Sequence, residues 1–546
     1  MLDFLLILLA VVWFGGTAAN VFRQARYFQI EEYMGIRFIR WLAAQRDRWL
    51  PQRPVTAWLI GSLLAFALAE SPGSALPTLI LIAAAAGAVF PPPIGEVKKP
   101  FRATARARRL LGAAFALIGT AALLVLLFTA ALPERFQPLA LAALGFLTFL
   151  SSPLVLVLGN LAMMPVEFVM RRRFVQHARQ ALAAVNPTVV GITGSYGKTT
   201  TKVTLAHILN GRFRAYPTPK SYNTLMGVCI AINNDLAHDN SVDYFIVEMG
   251  AYVRGEIEQI CDLAHPRIGI VVEVGPQHLE RFGTLENIAA AKYEIIKALP
   301  PDGVGVFNWD NPHIRAMVAR GYPQTRLTVS RSVDPTDVTD GTPRFVASAI
   351  RETLQGLSFT VTDTLTGIFE DFVTPLLGEH NVTNILLAAA VAVYEGMPLR
   401  EVAFRARSLK PAESRLVRSV TPEGITIIND AYSANPVGIV YALRVLSLHD
   451  AGKRLLITPG MVELGALMDQ ENRRLGELAA QHATDVILVG EARTTPIKEG
   501  LLAANFSPDH LQVVRTLSEA VEWYKRNLSP GDAVLFLNDL PDTYSS

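Results

Sequence analysis

Residues 191–202 read GITGSYGKTTTK, and glycine, lysine and threonine in that order are the residue types that hold phosphate. A glycine-rich turn offers backbone N–H groups to anionic oxygens, the lysine reaches the outer phosphates, and a threonine hydroxyl ligates Mg²⁺. The usual spacing puts a glycine five residues before Gly197, but Ile192 stands there, with glycines at 191 and 194 instead. The context is nevertheless right: an apolar strand-like run, TVVGITG, leads in, and a helical pattern, KTTTKVTLAHILNG, leads out. Lys198 is therefore the candidate for the β/γ-phosphates and Thr199 for the metal. A metal-bridged phosphate also needs a carboxylate at the end of a neighbouring strand, and DYFIVEMG ends in Glu248. Taken alone, a strand-end glutamate is more often simply solvated.

These residues need a sheet to hold them. Between about 185 and 412, buried runs (TVVGITG, DYFIVEMG, RIGIVVEVG, GVGVFNWD) alternate with helical stretches such as TLENIAAAKYEIIKAL. That rhythm predicts a parallel sheet with helices on both faces. From 413 to 546, ITIINDAYSANP, KRLLITPG, DVILVG, LQVVRTL and DAVLFLND read as strands of a second, Rossmann-like α/β sheet, with helices in QENRRLGELAAQH and LSEAVEWYKRNL.

The first 184 residues are different. The chain is 51% hydrophobic, with mean hydropathy +0.29. Its small net charge of +2 conceals an asymmetry: residues 1–184 hold 18 Lys and Arg against 8 Asp and Glu, the remainder 32 against 40. Apolar stretches at roughly 4–20, 55–70, 75–92, 110–132 and 138–160 approach the ~20 residues that cross a bilayer, which predicts an α-helical transmembrane region of about five spans. Arginine-rich segments follow the first, third and fifth, while ESPGS and PERFQ carry little positive charge. Positive loops stay cytoplasmic, so the N-terminus is expected outside and everything after about 170 inside, with membrane lipids as neighbours. The first stretch lacks the basic start of a signal peptide. Basic residues confined to the segments between apolar runs give no case for nucleic acid. Cys229 and Cys261 form no motif, which fits a reducing compartment.

Together the motifs resemble the Mur ligase family, the ATP-dependent amide ligases of peptidoglycan precursor synthesis. TGSYGKTTT is similar to that family's shortened phosphate loop, and EMGAYVRGEIEQI and GPQHLERFGTLENIAAAKYEI are closest to the member that adds D-alanyl-D-alanine. The resemblance implies that Gly194, Ser195, Gly197, Lys198, Thr199 and Thr200 cradle ATP phosphate. It implies Thr199, Glu248, His278 and Lys292 around two Mg²⁺ ions, with Lys292 carbamylated. Asn308, His380, Asn381 and Asn384 match positions that hold adenosine, and Arg415 a family arginine of the nucleotide site. Asp430, Tyr432, Asn435 and Pro436 match the Asp-x-Tyr-x-x-Asn-Pro loop, with Asp430 among the catalytic residues beside Lys198, Lys292 and His278. Glu463 lies in GMVELG. By residue pattern alone His278 is equally a capping or core histidine, Lys292 a solvated helix lysine, and Asn435 good turn chemistry. Ser221, Tyr222 and Asn223 are candidates to face substrate.

The family member's soluble N-terminal domain, which holds the UDP part of its substrate, is replaced here by apolar segments. Gly460 stands where the related loop has Asp, and LFLNDLPDTYSS replaces its usual end. The implied reaction transfers the ATP γ-phosphoryl group to a substrate carboxylate, after which an amine displaces phosphate from the acyl carbon. Two alternatives remain open at this point: a membrane-bound polyglutamate-type synthase with the same chemistry, and a non-catalytic nucleotide-binding envelope scaffold.

Overall fold

The computed structural model describes residues 2–31, 33–44, 52–68, 75–90, 101–334, 341, 343–432 and 434–538. The expected ESPGS loop and most of the altered C-terminal segment lie outside them. The chain forms two compact units, one ending at Arg172 and one beginning at Arg173.

The first unit is helical: Leu2–Ile30, Gly35–Ala44, Gln52–Ala67, Leu76–Val89, Ala105–Ala130, Gln137–Leu150 and the start of Ser152–Val185. Trp13, Phe28, Leu81 and Leu141 form its core, while Leu63, Leu123, Leu127 and Phe168 point outward. Helices apolar on every side suit a lipid surrounding. Glycines let them approach closely: a Cβ on Gly61 would lie 2.2 Å from that of Ala84, and one on Gly145 would lie 2.5 Å from the Trp13 ring.

Three helices, Asp3–Ile30, Ala105–Ala130 and Ser152–Val185, are long and apolar enough to cross a membrane, where the sequence predicts five spans. The second and third apolar stretches form helices of only 16 and 14 residues. The fifth is not continuous. One helix stops at Leu150 and another starts at Ser152, because Pro153 has no N–H to continue the ladder and restricts the residue before it. The Ser151 and Ser152 hydroxyls donate to the Thr148 and Phe149 carbonyls, at 2.8 and 2.5 Å.

In the second unit a nine-stranded sheet has the order β2-β3-β1-β4-β5-β6-β7-β8-β9. Its strands are β1 Thr188–Thr193, β2 Ala215–Pro217, β3 Tyr244–Glu248, β4 Ile268–Val271, β5 Val304–Asn308, β6 Thr325–Ser330, β7 Phe345–Thr353, β8 Gly356–Asp363 and β9 Phe369–Thr374. The pairs from β2 to β7 are parallel. A hydrophobic cluster covers each face, one around Leu205 and Leu386, the other around Ile257 and Ile295. The parallel sheet expected from the sequence is extended at one edge, where β7, β8 and β9 form an antiparallel meander. These strands alternate in burial, leaving one face in solvent, as antiparallel sheets tolerate.

A second sheet has the order β10-β11-β15-β12-β13-β14, from β10 Val417–Val420, β11 Thr426–Asp430, β12 Arg454–Thr458, β13 Asp485–Val489, β14 Leu511–Val514 and β15 Ala533–Leu537. Only β10–β11 is antiparallel.

Candidate active site

The loop after β1 explains its odd spacing. Ile192 is still in the strand, fully buried and in register with Glu248 of β3, so the turn opens at Gly194. Gly197 has φ +79°, and a Cβ there would lie 2.6 Å from Asn384 Oδ1 and 2.7 Å from Val272. Only glycine fits that left-handed, crowded position. Ser195 pins the loop: its N–H donates to the Glu273 carbonyl (2.7 Å), and its hydroxyl takes the Gly275 N–H at 3.0 Å. The helix Lys198–Leu209 starts immediately after, so its unpaired N–H groups face the turn.

Lys198 folds back over the loop, donating to the Gly194 and Ser195 carbonyls at 2.6 and 3.3 Å. Burial, against the pull of Glu248, brings its pKa down to about 8. One residue on, Thr199 Oγ1 donates to Glu248 Oε2 at 3.0 Å. Thr200 lies in the same first turn. The sequence reading missed Lys202: its buried ammonium lies 3.0 Å from the same Oε2 and donates to the Lys220 carbonyl at 2.5 Å. Asn223 Nδ2 holds the other Glu248 oxygen at 3.1 Å. Burial alone would raise the Glu248 pKa, but Lys202 and Lys198 outweigh it and leave the carboxylate below its ordinary value.

Lys292 sits on the buried face of the helix Leu285–Lys297, beside Ile288 and Ile295. It is 3% exposed, not the solvated lysine its helical pattern suggests. Burial, reinforced by Lys198, lowers its pKa to about 7, so much of it is neutral and nucleophilic near neutral pH. His278 is the residue before the short helix Leu279–Phe282. Its Nδ1 bonds the Glu463 carboxylate, and its ring meets Tyr252 edge-on at 4.6 Å. Burial lowers its pKa in spite of Glu463.

A third group lies at the ends of β4 and β5. Asn308 Nδ2 donates to the Val272 carbonyl and to Glu273, both at 3.0 Å, and its Oδ1 takes the Asp310 N–H. Asn311 donates to the other Glu273 oxygen and to the Val274 carbonyl. Burial raises the Glu273 pKa to about 7. Asn384 accepts from Thr201 Oγ1 (3.1 Å) and donates to Asn381 (2.8 Å), which donates to the Leu377 carbonyl. The amides of Asn308, Asn381 and Asn384 are thus engaged in bracing the loop and its helix. The His380 ring packs against Tyr441 at 4.9 Å. Burial and the nearby Arg331 and Arg415 lower its pKa to about 3.

The C-terminal domain reaches the same region. Glu463 follows β12, and its second oxygen accepts from Arg281 at 3.2 Å. Tyr432 donates to Ser221 Oγ at 2.6 Å, with the Arg415 guanidinium 4.2 Å above its ring. Asp430 ends β11 and accepts the Leu416 N–H at 3.1 Å. Burial, against Arg415, raises its pKa to about 6. Asn435 caps the turn into Gly438–Ser447, accepting the Gly438 N–H at 2.8 Å. Glu379 joins Arg331 at 2.7 Å to Arg444 at 2.8 Å across the two domains.

The donor set suits Mg²⁺ and no self-sufficient metal cage. Among the described residues no three His, Cys, Asp or Glu side chains converge. A hydroxyl and one carboxylate beside a phosphate loop are what Mg²⁺ takes when substrate phosphates and water complete its shell.

A phosphate loop backed by a strand-end carboxylate, a buried lysine in its field, and a second α/β domain reaching over them define an ATP-dependent ligase. Family comparison agrees. Residues 192–392 match the Mur ligase middle domain, and residues 414–538 match the Mur ligase, glutamate ligase domain. The UDP-N-acetylmuramoyl-tripeptide–D-alanyl-D-alanine ligase of Bacillus subtilis is 30% identical over 363 residues, covering 66% of this chain and 75% of that protein. The enzyme of the same name from Mycobacterium tuberculosis is 31% identical over 380 residues, 65% and 71% of the two chains. The crystal structure of MurF from Acinetobacter baumannii superposes with TM-score 0.58 at 25% identity, over 68% of this chain and 78% of that one. The chain belongs to the Mur ligase family, whose members are ATP-dependent ligases, and its two α/β domains have the MurF-like fold.

Proposed function

We propose that this ligase is membrane-anchored and joins D-alanyl-D-alanine to the peptide of a peptidoglycan precursor through an acyl phosphate. The observation that carries the reading is the Thr199–Glu248 pair at 3.0 Å under the Lys198 loop, in a family whose named relatives make that product. Gly194 to Thr200 cradle the phosphates, and Lys198 swings from the loop carbonyls to the β/γ-phosphate oxygens. The γ-phosphoryl group passes to the substrate carboxylate, releasing ADP. The amine then attacks the acyl carbon and phosphate leaves with the C–O bonding pair, the proton lost from the amine ending on the released phosphate. Lys198 counters the charge that develops, an effect strengthened in a closed, water-poor cleft. Thr199, Glu248 and His278 would hold Mg²⁺, with Lys292 as a carbamate; bound Mg²⁺ would supply charge neutralisation at the phosphate oxygens. The neutral Lys292 amine that carbamylation requires is favoured by its burial. Asp430 serves the amine side, and His380 and Arg415 the nucleotide side, next to the bracing Asn308, Asn381 and Asn384.

Three long apolar helices support a membrane anchor, and the arginine-rich segments put the ligase domains on the cytoplasmic side, where ATP is found. The two short helices Gln52–Ala67 and Leu76–Val89 pack against each other, Gly61 facing Ala84, and crossing as a pair they leave the side of the ligase domains unchanged.

The test is product mass spectrometry on detergent-solubilised enzyme with ATP, Mg²⁺ and a panel of muropeptides, free and lipid-linked, with Lys198→Ala as control. A product joined to D-alanyl-D-alanine is expected. Glutamate chains would establish the polymer-synthase alternative, and no acceptor-dependent phosphate release with any pair would refute ligase chemistry here.

A further inference from the structure

His278 and Glu463 meet from different domains. His278 closes the loop after β4, and Glu463 closes the loop after β12. Both are non-glycine residues in the left-handed region, with φ +57° and +63°, a conformation that persists only when the surroundings over-determine it. What they share is one contact. Glu463 Oε2 bonds His278 Nδ1, and Oε1 accepts from Arg281 Nη2 at 3.2 Å. Tyr252 completes the group, with Arg281 4.1 Å over its ring and His278 at its edge. A Cβ on Gly465 would lie 3.4 Å from the Glu280 backbone nitrogen, so the loop that carries Glu463 runs close beside the segment that carries His278.

A carboxylate only accepts, so Nδ1 carries the imidazole proton and the lone pair is on Nε2. Arg281 holds the other carboxylate oxygen. We infer that Glu463 is a positioning residue: docking of the C-terminal domain fixes the His278 ring with Nε2 presented to the metal. The inference rests on the reading of His278 as a metal ligand. Its consequence is that divalent-cation affinity depends on a side chain of the other domain. Removing the carboxylate that orients a liganding histidine typically weakens metal binding about 10–100-fold.

The test is Mn²⁺ binding by electron paramagnetic resonance to the full-length, detergent-solubilised chain with a non-hydrolysable ATP analogue. Glu463→Ala is expected to weaken Mn²⁺ binding by roughly that 10–100-fold, and Glu463→Gln, which keeps one acceptor oxygen for Nδ1, to recover part of the loss. Analogue affinity in EDTA should not change in either variant. His278→Ala separates the two readings. If it weakens Mn²⁺ binding and Glu463→Ala does not, the positioning role is wrong; if neither does, His278 is not a ligand and both readings fall. Should Glu463→Ala not fold, the near-isosteric Glu463→Gln decides, and wild-type Mn²⁺ affinity in it overturns the proposal.

Discussion

The Lys202–Glu248 pair gives the sharpest energetic prediction. Both side chains are 2% exposed and the charged atoms are 3.0 Å apart. Lys202→Met keeps most of the volume and removes the charge, leaving a buried carboxylate without its main counter-ion. Breaking a buried pair from one side typically costs ~3–5 kcal/mol. The lower end is expected here, because Thr199 and Asn223 still donate to the two oxygens and Lys198 remains in the field. For a domain of the size matched between residues 192 and 392, ~3 kcal/mol lowers Tm by roughly 6–12 °C.

The pH dependence carries a sign. In the wild type the Glu248 pKa is depressed, so the pair adds stability above the ordinary carboxylate value of about 4.3 and loses it as pH falls through the lowered folded value. In Lys202→Met the burial effect dominates and the pKa moves up instead. The penalty is then full at neutral pH and fades as pH falls toward about 4.3, so the two melting curves converge on acidification. Differential scanning fluorimetry of detergent-solubilised protein between neutral and mildly acidic pH measures this. Lys202→Met/Glu248→Gln should recover most of the loss, since a neutral amide keeps hydrogen bonds with Thr199 and Asn223. The reasoning is refuted if Lys202→Met costs less than ~1 kcal/mol, or if the double variant loses the sum of the singles, because either means that the charges are not coupled.

Three further outcomes follow from the same geometry. Glu273, with a pKa raised to about 7, loses stability as pH rises from about 4.3 through 7, where the unfolded chain is ionised and the folded one is not yet; Glu273→Gln should flatten that part of the stability–pH curve, and an unchanged slope would show that Glu273 does not cause it. Tyr432→Phe removes the 2.6 Å bond to Ser221, and a loss of about 0.5–1.5 kcal/mol should raise KM for the amine substrate roughly two- to tenfold, while KM for ATP stays put in steady-state kinetics. The native cysteines are both buried, so in intact cells a membrane-impermeant maleimide should label Arg135→Cys and spare Asp302→Cys; the reverse pattern would invert the proposed topology.

The chemistry that could be read from the sequence was local. GSYGKTT announces a turn, a cation and a hydroxyl within seven residues, and the alternation of apolar runs and helices around it sets the central sheet. The serine–proline step at 151–153, which breaks the fifth apolar stretch, is local in the same sense. What stayed hidden were partnerships made by the sheet. Lys202 follows Lys198 by four residues and looks like another polar position on a helix. It becomes an ion-pair partner only because β3 lies beside β1 with Ile192 opposite Glu248, which carries the carboxylate over the first turns of that helix. Glu273 looks like a stray charge in VVEVG until β5 comes alongside β4 and brings Asn308 and Asn311 within reach. Lys292 was disguised for the opposite reason: it occupies an apolar-face position of an otherwise ordinary amphipathic helix, where a lysine is expected to turn outward. Glu463 and His278 are 185 residues apart, and no periodicity links them. In each case residue type limits what a side chain can do, while strand order and domain docking choose the partner. The buried lysines Lys202 and Lys292 and the half-buried Glu273 are therefore the positions where a close homologue with altered chemistry should differ first, because each is costly to keep out of water unless the site uses it.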